Sequence, residues 1–451
     1  MTTSSDLPVG VLDFILETTF DDLPSDVVAF GQRCLLDLLG VAAAGRTTEL
    51  STTVHDHTVR HFGAGVGAGG AASLLFDGRE VSPVGAALGT GMTIDSIDAH
   101  DGHKLTKGHS GCSQLAALLA LTMAERLGDP RDFLASLVVG YEVSTRAGIA
   151  LHRTAADFHT SGAWGALSAA ALGARILAFD RATTFEALGI AEYHGPRSQM
   201  MRVIDQPTML KDGSGWGAMA GVSAAYLAAD GFTGAPAVSV NAPVVADLWD
   251  DLGDNWLIFE QYFKPHPVCR WAQPAVEAAL TLCRQHGIDG MDVDHIEVAT
   301  FHEAARLATT APENTEQAQY SLPFPLAAAV LRGRLGAADI TGSALCDSTI
   351  RALADRVSIS EDATHNDAFP ANRFARVTLV LSDGQSFVSD DTEPRGDPEH
   401  PLTDSEIRDK FHGFADPVLG TDRASAIESL VDGLPAASSL GGLFGQLRTS
   451  I

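Results

Sequence analysis

Residues 95–111 read DSIDAHDGHKLTKGHSG and crowd Asp95, Asp98, Asp101, His100, His103, His109, Lys104 and Lys107 into one short segment. Its glycines predict a loop between helices, where a rigid scaffold can aim polar groups at a ligand. Carboxylates beside imidazoles suit proton transfer, and lysines suit an anion. Histidine and aspartate also ligate metals. Here the spacing matches no familiar pattern such as HExxH, and two lysines would repel a cation. A solvated polar loop is the plainest alternative. The preferred reading is an acid/base and anion-holding loop with no metal.

Three further segments carry candidate chemistry. FHTSGAWGALSAAA (158–171) sets His159 just before a predicted helix start, where free N–H groups favour anions. His159 is read there as a general acid/base. MLKDGSGWGAMAG (209–221) puts Lys211 before a Gly/Ser turn and a small-residue helix. It lacks GxxxxGK[ST], so a single carboxylate-binding lysine fits better than a phosphate loop. YFKPHPVCRWAQ (262–273) flanks His266 with two prolines and adds Lys264, Cys269 and Arg270. Cys269 reads more naturally as a buried thiol than as a nucleophile. The chain has only five lysines, and Lys104, Lys107, Lys211 and Lys264 all fall in these segments. With His103, His109 and either Arg202 or Arg270, they predict a local positive pocket for a polyanionic small molecule.

The elements that must position these groups follow from periodicity. Over the first ~265 residues the chain reads as helical. Ser25 is predicted to cap SDVVAFGQRCLLDLLGVAAAG, with apolar residues at helical spacing. GCSQLAALLALTMAERLG, GAWGALSAAALGARILAF and GWGAMAGVSAAYLAADG carry Ala and Gly on all faces, which predicts closely approaching buried helices. After Pro267 the pattern changes. VDHIEVATF (293–301) alternates, and FARVTLVLSDGQSFVSDD (374–391) reads as two strands joined at Asp383-Gly384. Helices near 274–286 and 324–334 lie between them. PLTDSEIRDKF carries a Thr403/Glu406 capping box opening a terminal helical section. The predicted class is mostly α with α+β: a large helical domain over 1–265, completed by about 400–451, and a smaller α+β domain over 266–400.

Composition excludes several functions. Of 451 residues, 45% are hydrophobic, so most of the chain can bury a core. Lys+Arg number 30 against 57 Asp+Glu, a formal charge of −27. That balance argues against nucleic acid and against an anionic membrane surface. Five cysteines without a CxxC pair suggest neither a disulfide framework nor a thiolate zinc site. With no signal peptide recognised and no strongly apolar run of spanning length, the expected setting is cytoplasmic.

In order along the chain, LLDLLGVAAAG, the DxxDAH…GHSG loop, GYEV (140–143), HTSGAWG, the Lys211 helix ending in GFTGAP (231–236), KPHPVCRWAQPAVEAAL (264–280), AQYSLPFPLAAAVL (318–331) and DPEHPLTDSEIRDKF resemble the MmgE/PrpD family. That family includes 2-methylcitrate dehydratase, cis-aconitate decarboxylase and iminodisuccinate epimerase. The resemblance implies the same two-domain architecture, a homodimer, and an active site between the domains. It implies no metal and no organic cofactor. Its active-site positions carry over to Asp95, His109, His159, Lys211 and Lys264. Three positions depart from the decarboxylase pattern: Ala99 for a threonine, Cys269 for a histidine and Phe324 for a tyrosine. The implied chemistry is proton abstraction beside a carboxylate of a small di- or tricarboxylate. The expectation is a dehydratase-like lyase, with an epimerase of a dicarboxylate such as iminodisuccinate as the alternative and a cis-aconitate-type decarboxylase as the second. A catalytically silent carboxylate-binding protein is a further class.

Overall fold

The computed structural model describes residues 8–64 and 70–451. The fold is mostly helical with one small mixed sheet. The Ala/Gly-rich segments form helices Gly111–Ala124, Gly162–Ile176 and Ser214–Ala229, which pack on one another, the first and third also on Pro83–Asp95. Small residues set how closely they approach. A Cβ built on Gly215 would lie 2.6 Å from the Leu88 carbonyl oxygen and 2.8 Å from the Met92 nitrogen. Gly215→Ala therefore forces two buried backbones apart. The expected cost is roughly 1–3 kcal/mol, and thermal unfolding of the variant beside the wild type measures it.

Among the described residues two large hydrophobic cores form, with a small third cluster of Leu50, Leu88 and Met92. The larger collects residues from Val11 to Phe263 and then Leu402 to Leu447. Helix Asp404–Leu419 packs on Ser25–Gly45, and the Thr403/Glu406 capping box holds its start. The smaller core gathers residues mainly between Val268 and Leu379 under the sheet. Strands Val357–Glu361, Val293–Thr300, Ala375–Leu381 and Ser386–Val388 lie in that spatial order. The first pair is parallel and the others antiparallel. Gly384 takes φ 88° in the predicted hairpin turn. Val357–Glu361 was not anticipated, because its short, half-polar VSISE run lacks a buried face: none of its residues is fully buried.

One local expectation changes. Pro24, not Ser25, occupies the N-cap of Ser25–Gly45. That helix is also long and apolar enough on average to span a bilayer, although Arg33 and Asp37 interrupt it, and 78% of its apolar window is buried in the fold. Among the described residues no other helix meets those criteria.

Candidate active site

Three of the small-residue helices begin where the chemistry-bearing segments end. His109-Ser110 precedes Gly111–Ala124, His159-Thr160-Ser161 precedes Gly162–Ile176, and Lys211-Asp212-Gly213 precedes Ser214–Ala229. At the first and third helices the unpaired first N–H meets a carboxylate, and at the second it meets the Asp212 carbonyl at 3.1 Å. Asp101 Oδ1 accepts from Gly111 N at 3.1 Å and Asp95 Oδ2 accepts from Ser214 N at 3.3 Å. A two-residue antiparallel ladder, Gly102–His103 with Gln261–Tyr262, aligns the 95–111 loop with the segment carrying Lys264.

That alignment brings Lys264 Nζ to 2.6 Å from Asp98 Oδ1 and 2.9 Å from the Asp98 carbonyl. Both residues are almost fully buried. His109 lies beside them, Nε2 at 3.3 Å from Asp212 Oδ2 and 3.8 Å from Asp98 Oδ1. Its Nδ1 meets the carbonyl oxygen of Asp101. Ser161 Oγ donates to Asp212 Oδ2 at 2.9 Å and accepts from His109 N at 2.9 Å. A narrow cavity runs past this cluster, with room for little more than a water, so its walls must part to admit a substrate. Asp98, His109, Asp212, Lys264, Cys269, Tyr320, Tyr262, Lys107, Arg270 and Arg373 are on its wall.

Burial dominates the electrostatics. It pushes the Asp212 carboxyl up to about 7, reinforced by the charges of Asp95 and Asp98. It lifts Asp95 to about 6 against the opposing pull of Lys211. It drives His109 down to about 3, helped by Lys264, so the imidazole is neutral. Asp98 is held below the usual carboxylate range: the Lys264 and Lys211 ammoniums outweigh its desolvation. The Cys269 thiol is pushed up to about 12 by burial and the Asp98 charge, so it is inert as a nucleophile.

Backbone strain concentrates here too. Among the described residues six non-glycines take positive φ, and Asp98 (50°), Lys107 (53°) and Lys211 (50°) are three of them. Such conformations cost of order 1–3 kcal/mol each and cluster at functional sites. Lys211 is buried, donates to Gln319 Oε1, and lies 4.6 Å from the centroid of the Tyr320 ring. Gln319 Nε2 in turn donates to the Ser96 carbonyl at 2.9 Å.

Several predicted residues fall elsewhere. His266 is turned away from the cavity, Nε2 at 3.2 Å from Glu277 Oε1 and Nδ1 at 3.3 Å from the Leu335 carbonyl. Lys104 is neutralised by Glu399 at 2.9 Å and Asp397 at 3.5 Å. His103 pairs with Glu260 at 2.8 Å. Arg202 sits exposed on helix Met201–Asp205, off this cavity. Arg270 reaches the wall, but Asp397 at 2.6 Å already balances its charge. His159 is buried off the cavity wall, its Nδ1 3.0 Å from the Asp157 carbonyl and its backbone N–H donating to His152 Nε2 at 3.2 Å. The group facing His109 is therefore Asp212 rather than His159.

Two family models match nearly end to end. The MmgE/PrpD N-terminal domain covers residues 11–244 and the MmgE/PrpD C-terminal domain residues 266–435. The chain belongs to the MmgE/PrpD family. Among curated relatives of this MmgE/PrpD protein, the cis-aconitate decarboxylase-like protein oryM of Aspergillus oryzae is 23% identical over 98% of each chain. The cis-aconitate decarboxylase of Mus musculus is 24% identical over 91% of this chain and 87% of its own. That of Aspergillus terreus is 23% identical over 96% and 94%.

The departures from the decarboxylase pattern take on physical meaning in this MmgE/PrpD chain. Cys269 puts a neutral thiol on the cavity wall. Ala99 is buried, and its carbonyl accepts from Lys410 Nζ at 2.8 Å, a lysine also 2.5 Å from Asp37. Phe324 lies in the smaller core and off the cavity, so it does not cost the site a hydroxyl. Tyr320 and Tyr262 supply phenols there instead.

Asp98, His100 and His109 offer three ligand atoms within 4.8 Å of one another. The Lys264 ammonium already compensates Asp98 at 2.6 Å, where it would repel a divalent ion. Exhaustive chelation is expected to leave activity unchanged. Loss on chelation, restored by one divalent ion, would reverse this assignment.

Proposed function

We propose that this chain is a cofactor-independent lyase. It removes a proton beside a carboxylate of a small di- or tricarboxylate and expels the neighbouring hydroxyl as water, the leaving oxygen receiving the proton that the base has taken. The observation that carries this reading is the 3.3 Å contact of His109 Nε2 with Asp212 Oδ2 beside Lys264 on one cavity wall.

His109 Nδ1 can only donate to the Asp101 carbonyl, so Nε2 of the neutral ring carries the lone pair. The raised Asp212 carboxyl carries its own proton beside that lone pair, at a 3.3 Å approach that is not an aligned hydrogen bond. Once that proton leaves, the pair is a base poised near working pH. The Lys264 ammonium stabilises the enediolate charge that develops when the substrate proton is taken. Lys211 is off that wall and donates to Gln319 Oε1, so its proposed role is to lower the pKa of the Asp95 and Asp98 carboxyls from behind rather than to touch the substrate.

The active form is the deprotonated pair, so kcat is expected to rise with pH through about 7. Asp212→Asn should flatten that limb, and a pH–rate profile of both proteins reads it.

Decarboxylation is the second reading, favoured by the names of the curated relatives. The thiol of Cys269, standing where the decarboxylase pattern has a histidine, weighs against it. Proton NMR on a panel of hydroxylated and unsaturated di- and tricarboxylates separates the two. Water loss is expected. Carbon dioxide loss establishes the second reading, and inversion without an unsaturated product replaces both with an epimerase. The homodimer remains a proposal, supported by exposed Leu210 and Trp216; light scattering at one chain's mass would remove it.

A further inference from the structure

We propose that Arg373, with Lys107 beside it, forms a carboxylate-binding subsite at the cavity, taking a substrate carboxylate other than the one beside the reacting carbon. The proposal rests on the polycarboxylate reading above and extends it to a residue which no motif marks.

Arg373 is 2% exposed and lies on the cavity wall. Its Nε and Nη1 have no hydrogen-bond partner, and Nη2 makes one long contact, 3.4 Å to the Lys104 carbonyl. Its guanidinium sits 5.6 Å from the Tyr262 ring centroid. Among the described residues, no carboxylate lies within ion-pair distance of it; Asp397, farther off, feels its charge but is shared with Arg270 and Lys104. The neighbouring cations differ: Arg270 has Asp397 at 2.6 Å and Lys264 has Asp98 at 2.6 Å.

A buried guanidinium cannot escape its desolvation cost by losing a proton, because it stays charged throughout the working pH range. Burial without a counter-charge is strongly unfavourable. Asp397, already paired with Arg270, compensates it only in part, and a bound anion supplies the rest. Lys107 adds a second, uncompensated charge. It is on the same wall, in a left-handed backbone conformation, with its ammonium 4.7 Å from the Phe158 ring centroid and only the Leu105 carbonyl at 3.5 Å as a polar contact. Arg373 thus keeps free N–H donors on both sides of its guanidinium, Nε on one edge and Nη1 on the other, each able to take a carboxylate oxygen. Because Asp98 already balances Lys264, the excess positive charge lies at the Arg373–Lys107 end. A substrate with an additional carboxylate there is selected over one without it.

The test uses non-reactive probes on the full chain. Propane-1,2,3-tricarboxylate and succinate are titrated calorimetrically into wild type, Arg373→Met and Arg373→Lys. Wild type is expected to prefer the tricarboxylate. Arg373→Met should lose about tenfold or more of that affinity and leave succinate binding little changed, with Arg373→Lys intermediate. KM for the reacting substrate should rise more than kcat falls. Thermal unfolding supplies a second readout. Removing an incompletely compensated charge should leave the midpoint unchanged or raised, whereas a merely structural arginine would lower it. Equal tricarboxylate affinity in wild type and Arg373→Met overturns the subsite while the lyase reading stands. Wild type binding neither acid removes both. Inorganic phosphate outcompeting the tricarboxylate on wild type overturns the carboxylate assignment.

Discussion

His109→Gln is expected to lower kcat by roughly 10²–10⁴-fold, the usual span for a lost general acid/base. The ring is held from three sides. Its Nδ1 is fixed by the Asp101 carbonyl, its backbone N–H by Ser161 Oγ, and its Nε2 faces Asp212. Glutamine keeps a polar side chain of similar reach but cannot shuttle a proton, so the fold should persist while turnover falls. KM should move little, because His109 carries no charge at working pH. The informative comparison is the double variant with Asp212→Asn. If the two act as one unit, it should be scarcely slower than either single variant. Near-normal turnover in His109→Gln, measured under saturating substrate, would remove His109 from the mechanism.

Lys264→Met is expected to lose both stability and activity. The Lys264–Asp98 pair is 1% and 2% exposed at the side chains. Removing one partner of such a pair typically costs about 3–5 kcal/mol, because the other charge is left buried and uncompensated. Denaturant unfolding should show that loss. Pairing the change with Asp98→Asn removes the stranded carboxylate, so most of the stability should return. Activity should not return, since the ammonium that stabilises the developing charge is still missing. Recovery of both together would make Lys264 a structural residue only. An unchanged unfolding midpoint in the single variant would mean that Asp98 is not buried as described.

How far the sequence reaches depends on whether a signal is local. The Ala/Gly-rich helices, the Asp383-Gly384 hairpin and the Thr403/Glu406 box are legible because propensity, period and capping each act within a few residues. The 95–111 loop stands out for the same reason, since its polar groups are crowded in sequence before they are crowded in space. Asp212 does not stand out: next to Lys211 and Gly213 it reads as a turn residue, and only the packing of two helix starts brings it to His109. Arg373 has no distinguishing neighbours, and what marks it is the lack of a partner after folding. The opposite error occurs at His266. Two prolines fix its backbone, but a fixed backbone says nothing about which cavity the ring enters. Phe324 misleads likewise, because helix Pro323–Arg332 turns it into the smaller core while Tyr320, just before that helix, reaches the site.

The central claim is that a proton moves between the substrate carbon beside a carboxylate and the His109–Asp212 pair. Incubation in heavy water with hydroxylated tri- and dicarboxylates and their unsaturated counterparts tests it directly, with proton NMR following that carbon. Wild type is predicted to introduce solvent deuterium there, and His109→Gln and Asp212→Asn are predicted to slow exchange and turnover together. Turnover by wild type with no deuterium at that carbon in recovered substrate or product, in either direction, would contradict the account.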